Sequence, residues 1–336
     1  MQLAVDCIDL GHEESASMLD GQIADARAWV AADIDSRALV VMLDDPARDE
    51  LLQMVQQMHD RPLPLLLRGP EQFTSAALRD FLVPVRALLD EHPGIAVIDR
   101  LPMAGMDEQD AVAVFWVLGQ LVGRPVAQKW DGTMLYDVTD TGQPYSYGVR
   151  GSYTNVELLL HTDNAFAITP PDYVALLCIR PARTGGVSRF CSIYTLHNRM
   201  LAAHPRELER LYRCVLWDRQ AEHAPGAATI TQAPVFRYHE GKLSARLNSS
   251  LIKKGYEVAG VDMDSETRDA VAALDTVTDQ PDLCFELPIE RGQMQILNNR
   301  EIAHYRSEFT DDEDPARKRH LVRSWHRESG LPSYDG

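Results

Sequence analysis

The sequence is poor in the features that mark several functional classes. Its five cysteines, Cys7, Cys178, Cys191, Cys214 and Cys284, are scattered, odd in number and never spaced as CxxC. That pattern argues against a disulfide framework and against a zinc knuckle, and it fits a reducing compartment. Long apolar runs are missing, since the longest, Ala111 to Gly123, is interrupted by Gln120 and too short to span a bilayer. Positive charge is scarce: 33 Lys plus Arg stand against 50 Asp plus Glu, a formal charge of −17 that repels phosphate backbones and anionic lipid surfaces. The N-terminus carries Asp6, Asp9, Glu13 and Glu14 without a basic leader. A cytoplasmic protein with neither nucleic acid nor membrane as partner is expected. No internal repeat and no low-complexity tract marks a linker.

What is present is an ordinary globular composition, 336 residues with 45% hydrophobic and 25% charged, enough for a large core in one or two domains. Residues 1–90 read as a mainly helical segment packed on the core of residues 91–336. Leu19, Ile23, Ala26 and Val30 recur at helical spacing, as do Leu51, Leu52, Val55 and Met58. A third stripe, Leu78, Phe81, Leu82, Val85 and Leu88, is expected to be kinked or split by Pro84. These helices could bury against the core or against a second copy, which leaves a homo-oligomer possible. A strand is expected over Gly94–Asp99, then a helix opened by Asp107 and Asp110 and closed at Gly123-Arg-Pro125. From about Met134, short β-prone runs take over, among them Val174–Ile179, Val187–Ile193, Met294–Leu297 and His320–Trp325. Glu240-Gly241 reads as a hairpin turn, and Asp264 or Ser265 as a helix cap. The expected class is mainly β with flanking helices (α+β), a jelly roll or sandwich.

The sharpest chemical signal is His161-Thr-Asp163, because residues i and i+2 of an extended segment project to one side and can offer an imidazole and a carboxylate to one metal. A solvated Asp beside a hydrogen-bonded His gives the same spacing. Asn298-Asn-Arg-Glu-Ile-Ala-His304 follows an apolar strand and could bring a second imidazole to the same place. Two His and one carboxylate with open positions suit non-haem Fe(II), whereas structural zinc wants four closed ligands. In Arg319-His-Leu-Val-Arg323-Ser-Trp325, alternation puts both arginines and the indole on one face. A guanidinium seldom faces a core unless paired, and a carboxylate ligand would pair it. Trp325 could also be plain core. The histidines outside His161 and His304, His197 and His326 included, read as surface or capping residues.

These residues resemble the taurine dioxygenase-like and clavaminate synthase-like Fe(II)/2-oxoglutarate-dependent oxygenases. The resemblance rests on His161-Thr-Asp163-Asn-Ala-Phe, Pro171-Asp-Tyr-Val-Ala-Leu-Leu-Cys-Ile-Arg-Pro181, Thr184-Gly-Gly-Val-Ser188, Leu297-Asn-Asn-Arg-Glu-Ile-Ala-His304 and Arg317-Lys-Arg-His-Leu-Val-Arg323. It implies a double-stranded β-helix, a distorted jelly roll, with Fe(II) held by His161, Asp163 and His304. It further implies that Arg319 grips the far carboxylate of the cosubstrate 2-oxoglutarate, with Ser188 as hydroxyl partner where many relatives have Thr. Arg323, roughly 13 Å further along an extended strand, would hold an anionic group of the substrate. The implied reaction consumes O2, releases succinate and CO2, and most simply hydroxylates an unactivated C–H. Desaturation or cyclisation would use the same residues, while halogenation is disfavoured because Asp163 is present.

The loop Tyr145 to Asn155 precedes the metal motif and could lay Arg150, Tyr153 and Asn155 over the site as substrate-binding residues, or be a surface loop whose tyrosines pack on the core. The expected substrate is a small polar metabolite, an amino acid or an amino-acid-derived natural-product intermediate. A jelly-roll protein that binds a metabolite without turnover is the competing reading, and a zinc hydrolase would leave Arg319 unexplained.

Overall fold

The structure, a computed structural model, describes residues 5–335. Its centre is the strand Tyr173–Arg180, whose sequence YVALLCIR is buried along nearly its whole length. Such a run alternates between two apolar environments. Tyr173, Ala175, Leu177 and Ile179 share one core cluster with Leu51, Leu82 and Phe115 of three helices, Asp45–Asp60, Ala76–Asp90 and Glu108–Val122. On the other face Cys178 joins Tyr136, Val138 and Leu321 in a small separate cluster, with Leu176 against it.

The strand lies inside a seven-stranded sheet, ordered Val40–Met42, Ile95–Asp99, Met294–Asn298, Tyr173–Arg180 and His320–Arg327, with Arg124–Val126 and Leu135–Val138 both paired to the last. A four-stranded antiparallel sheet runs Phe285–Leu287, Ser188–Ser192, Ile302–Arg306, Leu158–His161. The chain is therefore sheet-rich with helices packed on it. Among the described residues, no helix is long and apolar enough to cross a membrane.

Local chemistry explains the boundaries. Asp107 and Asp110 form a reciprocal capping box on the helix Glu108–Val122. That helix lies so close to the strand His320–Arg327 that a Cβ at Gly119 would stand 2.6 Å from the His326 ring. The Glu240-Gly241 turn joins Phe236–His239 to Lys242–Ala245 with positive φ at both residues, as a tight hairpin of this hand requires. Asp264 caps the helix Ser265–Thr278 by accepting from the Thr267 N–H.

Several expectations fail for identifiable reasons. The Leu19 to Val30 stripe is not a helix. It is an irregular strap in which the Ile23 N–H donates to Asn198 Oδ1 and the Trp29 indole N–H to the Pro93 carbonyl. Tertiary partners there replace the helical ladder, while Leu19 and Ile23 still pack on the core. Pro84 does not split its helix, Ala76–Asp90. It sits on the exposed side, where water can take up the carbonyl that its missing N–H leaves. Residues 40–42 add a strand to the main sheet within a segment read as helical. His197 and His326 are fully buried rather than superficial, because each finds hydroxyl or carbonyl partners inside: Tyr212 for His197, Ser324 and Gly123 for His326.

Candidate active site

Register brings the two histidines together. His304 is the direct antiparallel partner of His161, and their rings lie 4.3 Å apart by centroid. A bulge follows at once, since the next pair is Arg306 with Leu158. Bulges of this kind re-aim side chains beside functional sites. Asp163 lies just beyond the strand, in a turn whose next residue, Asn164, has φ of 56°. Asn299 holds that turn from inside. Its Oδ1 accepts from the Asp163 N–H at 2.7 Å, and its Nδ2 donates to the carbonyls of Asp163 and Pro171.

The side chains converge. Asp163 Oδ1 lies 3.5 Å from His161 Nε2 and 3.5 Å from His304 Nε2. One ligand atom from each residue falls within 4.8 Å of the others, a spread that a single metal ion can bridge. The His161 Nδ1–H donates to the Leu159 carbonyl at 2.7 Å, which leaves the Nε2 lone pair facing the group. Oδ2 of Asp163 is held separately, accepting from Arg323 Nη1 at 3.0 Å and Trp325 Nε1 at 2.7 Å. Burial would raise the Asp163 carboxyl, but Arg323 and the two imidazoles outweigh it and keep it well below the usual carboxylate range. Burial, reinforced by His161, lowers the His304 imidazole, which favours the neutral, ligating form.

Arg323 is fixed in turn by Gln128, whose Oε1 accepts from its Nε at 2.8 Å, and by the faces of Tyr136 and Trp325. The arginine expected to meet a substrate anion thus has the Asp163 carboxylate as its partner. Arg319 lies apart, 3% exposed, over the Phe309 ring and beside Gly186, where φ is +65° and a Cβ would stand 3.1 Å from its Nε. Ser188 pairs in register with Arg306 at the start of the neighbouring strand.

A cavity of about 670 Å³ opens over His161 and Asp163, with Arg323 and Trp325 in its lining. Arg150 reaches it in an ion pair with Glu222, as do Asp218, which accepts from the Tyr147 hydroxyl, and Lys254. Burial raises the carboxyls of both Glu222 and Asp218, with Arg150 opposing at the first and Tyr147 at the second. The two other loop residues singled out in the sequence make contacts elsewhere. Tyr153 stacks on Tyr136 and accepts from Lys129, and Asn155 donates to the Phe309 carbonyl.

The sequence profile of the family described as taurine catabolism dioxygenase TauD, TfdA matches residues 59–325. The chain belongs to this family. It is an Fe(II)- and 2-oxoglutarate-dependent dioxygenase that consumes O2, and the His-Asp-His cluster suits such a metal. The FR-33289 synthase of Streptomyces rubellomurinus is 26% identical over 308 residues, 88% of each chain. A taurine hydroxylase-like protein, SAT17, of Stachybotrys chartarum is 24% identical over 92% of this chain and 80% of its own. An asparagine oxygenase solved with Fe(II), 3-hydroxyasparagine and succinate superposes with a TM-score of 0.68 at 20% identity, covering 86% of this chain and 94% of that one. The oxygenase OrfP, solved with 3-hydroxyarginine, gives 0.63 at 16% identity, covering 86% and 94%. These two show the shared fold.

Sequence reasoning missed Asn299, Gln128 and the cavity residues Glu222, Asp218 and Lys254. Asn299 stands inside a motif already noted, so its asparagine was a usable signal. Glu222 and Lys254 come from segments far apart in sequence, and nothing local marks them.

Proposed function

We propose that His161, Asp163 and His304 hold one Fe(II), that Arg319 and Ser188 receive the far carboxylate of 2-oxoglutarate, and that the cavity takes a small amino-acid-type substrate for hydroxylation. The two sheets are then the walls of a double-stranded β-helix, and the segment before about residue 90 supports the outer face of the larger one. The convergence of one ligand atom from each of the three residues within 4.8 Å, with both Nε2 atoms 3.5 Å from Asp163 Oδ1, carries this reading. Iron with 2-oxoglutarate and O2 supplies the oxidising power to replace an aliphatic C–H by C–OH, with succinate and CO2 as the other products.

The chain's own residues set the conditions. The Leu159 carbonyl fixes the His161 tautomer. Arg323 and Trp325 tie down Oδ2, so Asp163 offers the metal a single oxygen and leaves room for other ligands. Arg323 on this reading positions the metal ligand instead of gripping substrate. The paired charges Arg150–Glu222, with Asp218 and Lys254 nearby, present both signs to a ligand, which suits a zwitterion. The hydroxylated amino acids bound in the two related structures favour the same substrate class. All five cysteines are unbridged, in keeping with a reducing cytoplasmic setting.

The test is a panel of free amino acids and their simple derivatives incubated with the Fe(II)-loaded protein, 2-oxoglutarate and O2. One member should raise succinate release and gain a single oxygen atom by mass. Succinate release that no amino acid stimulates would sink the substrate class, and none above an iron-free control would sink the activity.

A further inference from the structure

Arg306 is two residues beyond His304 on the same strand, so both side chains leave the same face. It is 6% exposed and stands across from Ser188. Its Nη2 donates to the carbonyls of Thr154 at 2.9 Å, Gly151 at 3.4 Å and Val156. Its Nε and Nη1 are buried with no partner, as is Nη1 of Arg319. The two guanidiniums lie against one phenyl ring, their centres 5.0 and 4.9 Å from the centroid of Phe309. Among the described residues, neither makes an ion pair with a carboxylate within 4.0 Å. Asp311, the nearest influence of that kind on Arg319, accepts from the Arg319 backbone N–H instead.

Two buried cations with idle donors and no carboxylate in ion-pair contact, Asp140 and Asp311 acting on them only from further off, are costly to a fold unless an anion completes them. A carboxylate has enough lone pairs to accept from two forks at once.

We propose that Arg306 is a second binding residue for the distal carboxylate of 2-oxoglutarate, which it shares with Arg319 and Ser188. The assignment rests on the cosubstrate reading above. It gives Arg306 two tasks, one edge holding the backbone of residues 151–156 and the other facing the anion, so that cosubstrate binding and the order of the loop near the cavity mouth are linked through one side chain.

The experiment uses the full chain loaded with Mn(II), which binds without turning over, and measures dissociation constants calorimetrically for 2-oxoglutarate and for 2-oxopentanoate, the same five-carbon keto acid without the distal carboxylate. Wild type should prefer 2-oxoglutarate by at least tenfold. Arg306→Gln should lose most of that preference by weakening 2-oxoglutarate at least tenfold while leaving 2-oxopentanoate and Mn(II) unchanged. Arg306→Lys, which keeps the charge without the planar fork, should fall between and remains informative if the Gln variant does not fold. Parallel loss of both keto acids in these variants would mean that Arg306 only clamps the loop and would overturn the proposal. Retained preference in Arg306→Gln alongside its loss in Arg319→Gln would also overturn it, leaving Arg319 as the sole grip. A wild type that binds Mn(II) but neither keto acid would refute the underlying cosubstrate reading itself, a result distinct from both.

Discussion

His304 faces His161 directly across an antiparallel pair, and the rings meet at 4.3 Å because the register places them there. Side chains in a sheet alternate with period two, so a slip of one residue would turn either imidazole to the opposite face and dissolve the cluster. The bulge after this pair and the bonds from Asn299 are the local devices that hold the register and the adjoining turn.

Metal binding should depend on all three ligands. His161→Ala, Asp163→Ala and His304→Ala are each expected to weaken Fe(II) binding at least a hundredfold under anaerobic calorimetry. At a metal concentration of about 100 times the wild-type Kd, the metal should stabilise wild type by roughly 2.7 kcal/mol in chemical denaturation and leave the variants unmoved. Equal stabilisation of a variant would remove that residue from the ligand set.

Trp325→Phe deletes the N–H that Asp163 Oδ2 accepts at 2.7 Å and keeps most of the buried ring. Metal affinity is expected to fall by about tenfold, as for other groups that orient a ligand without touching the metal. Thermal stability should change little by comparison. An unaltered affinity would show that Arg323 alone fixes the carboxylate.

Asn299→Ala breaks three buried bonds, to the Asp163 N–H and to the carbonyls of Asp163 and Pro171. A loss of about 3 kcal/mol is expected in urea unfolding, since buried groups left unsatisfied cost more than the bonds themselves return. Metal binding should weaken with it. Restoration of stability without restoration of metal affinity by added osmolyte would confirm that the turn geometry matters beyond folding.

Acid should destabilise the protein before its carboxylates titrate. Burial lowers His197 and His326 to about 4 each, against an ordinary value of 6.5. The unfolded chain takes up a proton below about pH 6.5 that the folded chain refuses until about pH 4, so stability is full above the first value and declines through this window as pH falls. Each site contributes roughly 3 kcal/mol across the whole interval. His197→Gln can still accept from the Tyr212 hydroxyl, and it should show a shallower slope of unfolding free energy against pH. An identical slope would assign the acid sensitivity elsewhere.

Much of this was legible where the signal was local. The helix opening at Asp107 and Asp110, the Glu240-Gly241 turn and the strand read over Val174–Ile179 each depend on a few adjacent residues, and each is present, the strand running one residue further at either end. The Leu19 to Val30 stripe misled because helical spacing was satisfied by packing of separate residues in an irregular strap. The histidine pair His197 and His326 misled because burial of an imidazole depends on distant partners, such as the slot that Gly119 leaves beside His326.

The sequence by itself determined the chemistry that this protein has to offer: the His-x-Asp and distal His, the arginines in step along one strand, and a formal charge of −17. Side-chain type and short spacing suffice for that, because they fix what a residue can ligate and which face it leaves. Only the tertiary structure decided the partners. It set Arg323 on the Asp163 carboxylate, placed Arg306 and Arg319 against the one Phe309 ring, and lined the cavity with Glu222 and Lys254. Those relationships join segments up to about 160 residues apart, and no local rule of spacing reaches across strands whose order is set by the packing of the whole core.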